Sequence, residues 1–82
     1  MPLYFFHIKE NGDLLYDEEG SHHPDLEAAR EEAVEGIRQI ISAAILAGSP
    51  LRLEREMHVD DEAGHTLLKV KYREVVDFSE GN

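Results

Sequence analysis

Five histidines, His7, His22, His23, His58 and His65, stand out in a chain of 82 residues that lacks cysteine. Imidazole ligates Zn²⁺ and titrates near neutrality, so these side chains are the first place to look for metal or proton chemistry. Their spacing favours structural or surface roles instead. No His-x-x-x-His or Glu-x-x-His pair falls on a predicted helix, and His22 and His23 are neighbours in a predicted loop. The one metal set that the pattern allows is His58, Asp60 and His65, converging at one end of a predicted hairpin and holding a divalent ion weakly. The acidic runs Asp17-Glu18-Glu19 and Asp60-Asp61-Glu62 lack the spaced oxygens and central glycine of a calcium loop, and they read as turns. Hydroxyl nucleophiles are limited to Ser21, Ser42, Ser49, Ser79 and Thr66, none in a Gly-x-Ser-x-Gly elbow. The scattered glycines assemble no phosphate-cradling loop.

Length and composition narrow the class. A chain this short forms one domain and buries only roughly two-thirds of its unfolded surface, so packing alone must hold it. The balance of 18 acidic against 8 basic residues gives a net charge of −10, which repels phosphate backbones and anionic membrane surfaces. No apolar run approaches the ~18 residues of a membrane span, and the start lacks a basic region followed by an apolar stretch. The expected location is the cytoplasm, and no cofactor is expected.

The elements that must position these residues follow from periodicity. Tyr4 to Lys9 is rich in aromatic and β-branched types, and Asn11-Gly12 supplies a type I′ turn that sets Ile8 against Leu15 and His7 against Tyr16. One face then holds Tyr4, Phe6, Ile8 and Leu15, the other Phe5, His7, Leu14 and Tyr16. Asp25 caps a helix ending at Gly48, with Leu26, Ala29, Ala33, Ile37, Ile40, Ile41, Ala44 and Ala47 on one stripe. Its last turns are apolar nearly all round, because Ala43, Ile45 and Leu46 project off that stripe. Leu53 to Asp60 and Thr66 to Tyr72 alternate as strands joined by Asp61-Glu62-Ala63-Gly64. The simplest register sets Glu56 opposite Lys69, Glu54 opposite Lys71, Met57 opposite Leu68 and Leu53 opposite Tyr72. The expectation is an α+β fold, β-β-α-β-β: a four-stranded antiparallel sheet with one long helix on one face, spanning residues 1–76, and a flexible tail at 77–82.

Four segments together resemble a known family: Pro2-Leu3-Tyr4-Phe5-Phe6-His7, Asp17-Glu18-Glu19-Gly20, Pro24-Asp25-Leu26-Glu27-Ala28-Ala29-Arg30 and Val59-Asp60-Asp61-Glu62-Ala63-Gly64. It is a family of short bacterial proteins, chiefly alphaproteobacterial, classed as a domain of unknown function and marked by a Met-Pro-x-Tyr-Phe-Phe-His start. The resemblance implies one compact domain and transfers no catalytic or binding residue. In that family the loop before Pro-Asp-Leu is usually apolar where this chain has His22-His23, which argues against a shared site there.

A lone helix covers one sheet face only, so Phe5, His7, Leu14, Tyr16 and Leu67 are expected on the other, with Ile45 and Leu46 at the helix end. Those residues make the expected interaction surface of a non-enzymatic protein-interaction module acting as a homodimer. Two other classes follow from the same residues. One is a small histidine-dependent metal-binding protein or enzyme, which needs a concave site with convergent polar groups. The other is single-stranded nucleic-acid binding, with Phe5, His7 and Tyr16 stacking bases beside Lys9, Lys69, Lys71 and Arg73, against a strongly negative field.

Overall fold

The computed structural model describes residues 1–80, with side chains to residue 76. Along the chain run β1 (Leu3–Glu10), β2 (Asp13–Leu15), β3 (Ser21–His22), α1 (Leu26–Ala47), β4 (Glu56–Asp60), β5 (Thr66–Lys71) and α2 (Tyr72–Glu80). All strand pairs are antiparallel, in the order β2-β1-β4-β5, with β3 pairing the start of β1. Among the described residues the sheet thus has five strands rather than the four expected. The addition is the two-residue β3, too short to carry a periodic signal. Among the described residues no helix is long and apolar enough to cross a membrane.

Local chemistry sets the element ends. Asn11 (φ 52°) and Gly12 (φ 89°) both take positive φ, as a type I′ turn requires, and Ile8 pairs with Leu15 as the turn dictates. The Asp25 carboxylate accepts the Ala28 amide at 2.8 Å and opens α1. Gly48 closes it in the left-handed conformation (φ 72°), with the Ser49 amide reaching back to the Ala44 carbonyl at 2.9 Å.

The core lies between α1 and one face of the sheet. Ala29, Ala33 and Ile37 are fully buried and meet Tyr4, Met57, Val59 and Val70, with Phe6, Ile8 and Leu68 packed at the margin. The small alanines let α1 approach the sheet closely, and the thinnest dimension of the molecule is 18 Å. That thickness fits one sheet and one helical layer, so among the described residues the opposite sheet face has no layer upon it.

The second hairpin differs from expectation. Met57 faces Val70 and Val59 faces Leu68, two residues out of the expected register, and β4 begins at Glu56 rather than Leu53. A two-residue shift preserves the faces, which is why the side-chain sorting survives while the partners change. The cause is the loop. Asp61 accepts the Ala63 and His65 amides at 3.0 and 2.9 Å, and a bulge follows between Val59 and Asp60 on one strand and Leu68 and Thr66 on the other. Arg55 precedes β4 and pairs with Glu10 at 3.0 Å, and its carbonyl accepts the Tyr72 amide. The Leu53–Tyr72 pair therefore does not form.

Tyr72, read as the end of a strand, begins α2. Glu74 accepts the Lys71 amide at 3.1 Å, half of a capping box, and turns the chain out of the sheet. Tyr72 and Val75 are buried in the core beside α1. The tail expected at 77–82 coincides with the last turn of α2 up to Glu80, and Gly81 and Asn82 lie outside the described residues. Ile45 and Leu46 stay open, Leu46 at 89 % exposure.

Gly20 also has positive φ (69°), and a Cβ there would stand 2.8 Å from the Tyr4 carbonyl oxygen; a Cβ at Gly12 would meet nothing within 4 Å. Gly12→Ala is expected to destabilise by about 1 kcal/mol from backbone strain, and Gly20→Ala by about 3 kcal/mol because the clash with β1 adds to it. Urea unfolding checks the ordering, and equal midpoints for the two variants would contradict it. Tyr72→Ala is expected to cost about 3–5 kcal/mol by the same measurement, since Tyr72 is 1 % exposed.

Candidate functional site: an acidic recess on the uncovered sheet face

Strand alternation places Phe5, His7 and Lys9 of β1, and Glu56, His58 and Asp60 of β4, on the face away from α1. The register arranges them in rows across the strands. Phe5 lies beside Asp60, which faces Thr66; His7 lies beside His58, which faces Lys69; Lys9 lies beside Glu56, which faces Lys71. Lys9 also pairs with Leu14 of β2. The middle of the face is polar, for His7 and His58 are each only 9 % exposed.

Asp17 organises one end. Between β2 and β3 the chain leaves the ladder, and the Asp17 carboxylate fills the gap. Its Oδ2 accepts the Phe6 amide of β1 at 3.1 Å, and its Oδ1 accepts the Gly20 amide at 3.1 Å and the Glu19 amide at 3.3 Å. Burial alone would raise the Asp17 carboxyl, but these amides, with His7 nearby, outweigh it and hold the group below the usual carboxylate range. Gly20 lets the chain turn back tightly against the Tyr4 carbonyl.

The same residue orients His7. The Asp17 amide donates to His7 Nδ1 at 3.0 Å, so that nitrogen presents a lone pair and the ring proton sits on Nε2. Nε2 faces Asp60 Oδ2 at 3.5 Å. Phe5 stacks beside the ring at 6.3 Å between centroids, and Tyr16 meets it edge-on at 5.2 Å. Both nitrogens of His7 are engaged, which leaves no lone pair for a general base. His58 turns the other way, its Nε2 on Glu56 Oε1 at 3.0 Å. That hydrogen bond, with Lys71 and Lys69 also near, holds Glu56 low despite some burial.

These groups frame a shallow recess of about 440 Å³, lined by Phe5, His7, Tyr16, Asp17, Glu18, Asp60, Asp61, Glu62 and Gly64. Five of the nine are carboxylates, none is a lysine or arginine, and two are aromatic. Asp60 Oδ1 is buried there with no hydrogen bond. Asp61 is kept low chiefly by the His65 amide, so its carboxylate is charged at neutral pH. The wall thus combines anionic oxygens with aromatic faces, the chemistry that holds an ammonium or guanidinium.

The expected site residues divide accordingly. Phe5, His7 and Tyr16 come together in the recess, with Tyr16 at 69 % exposure. Leu14 is half-buried beside Lys9, Leu67 is exposed in the irregular stretch of β5, and Ile45 and Leu46 lie apart at the end of α1. His58, Asp60 and His65 turn to separate partners, Glu56, His7 and Asp61. Among the described residues no three His, Cys, Asp or Glu side chains are grouped to hold a metal ion. Asp17, Glu18, Asp61 and Glu62 read from sequence as turn residues, and Asp17 and Asp61 do hold turns while also lining the recess. Asp17 to Gly20 follows the spacing by which a carboxylate meets amides two and three residues ahead, and that signal was available.

Two measurements check this geometry. Nitrogen-15 spectra of His7 should show the Nε2–H tautomer; a proton on Nδ1 would contradict the Asp17 contact. Asp17→Asn should lower stability at pH 7 by about 1–3 kcal/mol, because the amide group cannot accept from Phe6, Glu19 and Gly20 together. A carboxyl that is low in the folded state stabilises above its unfolded value and loses that contribution as pH falls through the folded one. Urea unfolding of wild type should therefore weaken more steeply below about pH 4 than that of Asp17→Asn, and parallel acid limbs would refute the assignment.

No curated protein and no solved structure matches the chain. Residues 3–73, which run from β1 through β5 and include Asp17, His7 and the whole recess, match the family described as a domain of unknown function (DUF6894), and the chain belongs to that family.

Proposed function

We propose that the protein is a non-enzymatic protein-interaction module that receives a cationic side chain of its partner in the recess at Phe5, Tyr16, Asp60 and Glu62. What carries this reading is the wall itself: five carboxylates and two aromatic rings, without a lysine or arginine among them, on a sheet face that bears no second layer among the described residues. A carboxylate pair attracts an ammonium group from any direction, while the faces of Phe5 and Tyr16 favour a cation with an aliphatic stem. Lysine and arginine side chains have both parts. A catalytic role draws little support, since His7 is committed at both nitrogens and no serine or threonine lines the recess. Expected self-association accords with the same face.

A short oligolysine peptide is the direct probe. Its addition should shift the NMR signals of Phe5, Tyr16 and Gly64 in a saturable way, and leave those of Ile45 and Leu46 at the end of α1 unmoved. Tyr16→Ala should weaken binding about two- to five-fold with the net charge unchanged, the size expected for an exposed cation–π contact. Shifts spread evenly over the acidic surface, or binding indifferent to Tyr16, would overturn the assignment.

A further inference from the structure

All three lysines of the chain, Lys9, Lys69 and Lys71, lie on the face that carries the recess, at and beyond its middle row. The face is therefore polarised along its strands. Asp17, Glu18, Asp60, Asp61 and Glu62 occupy one end, and the lysines, with Glu56 among them, occupy the other. The three lysines and Glu18 and Glu62 are exposed. Such a face is complementary to itself.

We infer that the partner is a second copy of this chain, docked face to face so that the lysines of each copy enter the recess of the other. The inference rests on the interaction-module reading and names its occupant. The operation is a two-fold axis lying in the interface and crossing the strands between the His7–His58 row and the Phe5–Asp60 row. Rotation about it lays sheet on sheet and reverses the strands, so the acidic end of one copy meets the basic end of the other, twice. The rows of Asp60 and Glu56 are separated by about 13 Å at the usual strand rise, and stacked sheets stand about 10 Å apart, a gap that lysine and glutamate side chains together span. Aligned packing of two twisted sheets suits this arrangement.

Charge also selects this orientation over others. Each copy carries −10, so most approaches bring acid to acid. The lysine end is where positive charge gathers on this face, and the recess is where it is best received. The occupied area, four strands wide and about five residues long, is small for a stable interface, so a dimer in the micromolar range is expected.

Paired charge reversals at exposed positions test it. Lys69→Glu/Lys71→Glu makes both ends acidic; Glu18→Lys/Glu62→Lys reverses the recess. Sedimentation equilibrium of the wild type at high micromolar concentration should give twice 9.3 kDa. Each variant alone should dissociate at least about tenfold more readily, and the two mixed in equal amounts should form a heterodimer, because each then meets the opposite charge. Recovery on mixing also shows that both variants are folded; Lys69→Gln/Lys71→Gln, with a milder loss, keeps the test valid if either is not. Variants that remain dimeric, or a mixture that stays dissociated, would overturn the face-to-face pairing. A monomeric wild type whose recess still binds oligolysine would remove the second copy and leave the module. A monomer that binds no oligolysine would remove both.

Discussion

The Asp17 carboxylate is the contact on which the rest of the uncovered face depends. Where β2 leaves β1, the Phe6 amide at the sheet edge would lack a strand partner, and a partly buried amide left unpaired costs about as much as a lost hydrogen bond. One aspartate accepts that amide and two from its own turn, while its backbone donates to His7. The edge of the sheet is thereby completed by a side chain. Because the turn is pinned at three points, Tyr16 is held against His7 and Glu18 is held at the rim. The recess exists because the chain returns along β1 instead of departing from it.

From that anchoring follows an unequal sheet. The face towards α1 is packed with Tyr4, Met57, Val59 and Val70 against alanines and Ile37. Among the described residues the other face has no apolar layer; its centre is filled by two histidines held locally by Asp17 and Glu56. Charge is sorted along it by register, since antiparallel pairing of β1, β4 and β5 brings Lys9, Glu56 and Lys71 to one end and Asp60 to the other. A two-residue shift of β5 keeps its lysines on this face but moves each one along it. The bulge beside Asp60 therefore does more than end the hairpin: it fixes how far the lysines stand from the carboxylates.

Much of this layout was legible in the residues. Asn11-Gly12 sets the register of the first hairpin, and Asp25 and Gly48 mark both ends of α1, because each of those signals is local and has one conformational meaning. The first ladder nonetheless stops at Ile8–Leu15, and the expected His7–Tyr16 pair meets only through its rings. Face assignment in the second hairpin was legible from alternation, whereas its register was not, since Asp61 bridges two amides and the bulge absorbs residues that a regular loop would have paired. Alternation running on through Tyr72 concealed the start of α2, whose signal is the single carboxylate of Glu74. The recess was hardest to foresee. Phe5, His7 and Tyr16 could be placed together from the first turn, but Asp17 meets Phe6 eleven residues away through a side chain, and no periodicity encodes that contact.

An isotope-filtered NOE experiment on a mixture of labelled and unlabelled protein observes the central claim most directly, because it detects only contacts between copies. Cross-peaks from the Lys9 methylenes of one copy to the Phe5 ring of the other, and from the Lys69 methylenes to the Thr66 methyl, are the predicted result. Cross-peaks confined to Ile45 and Leu46, at the far end of α1, would contradict it.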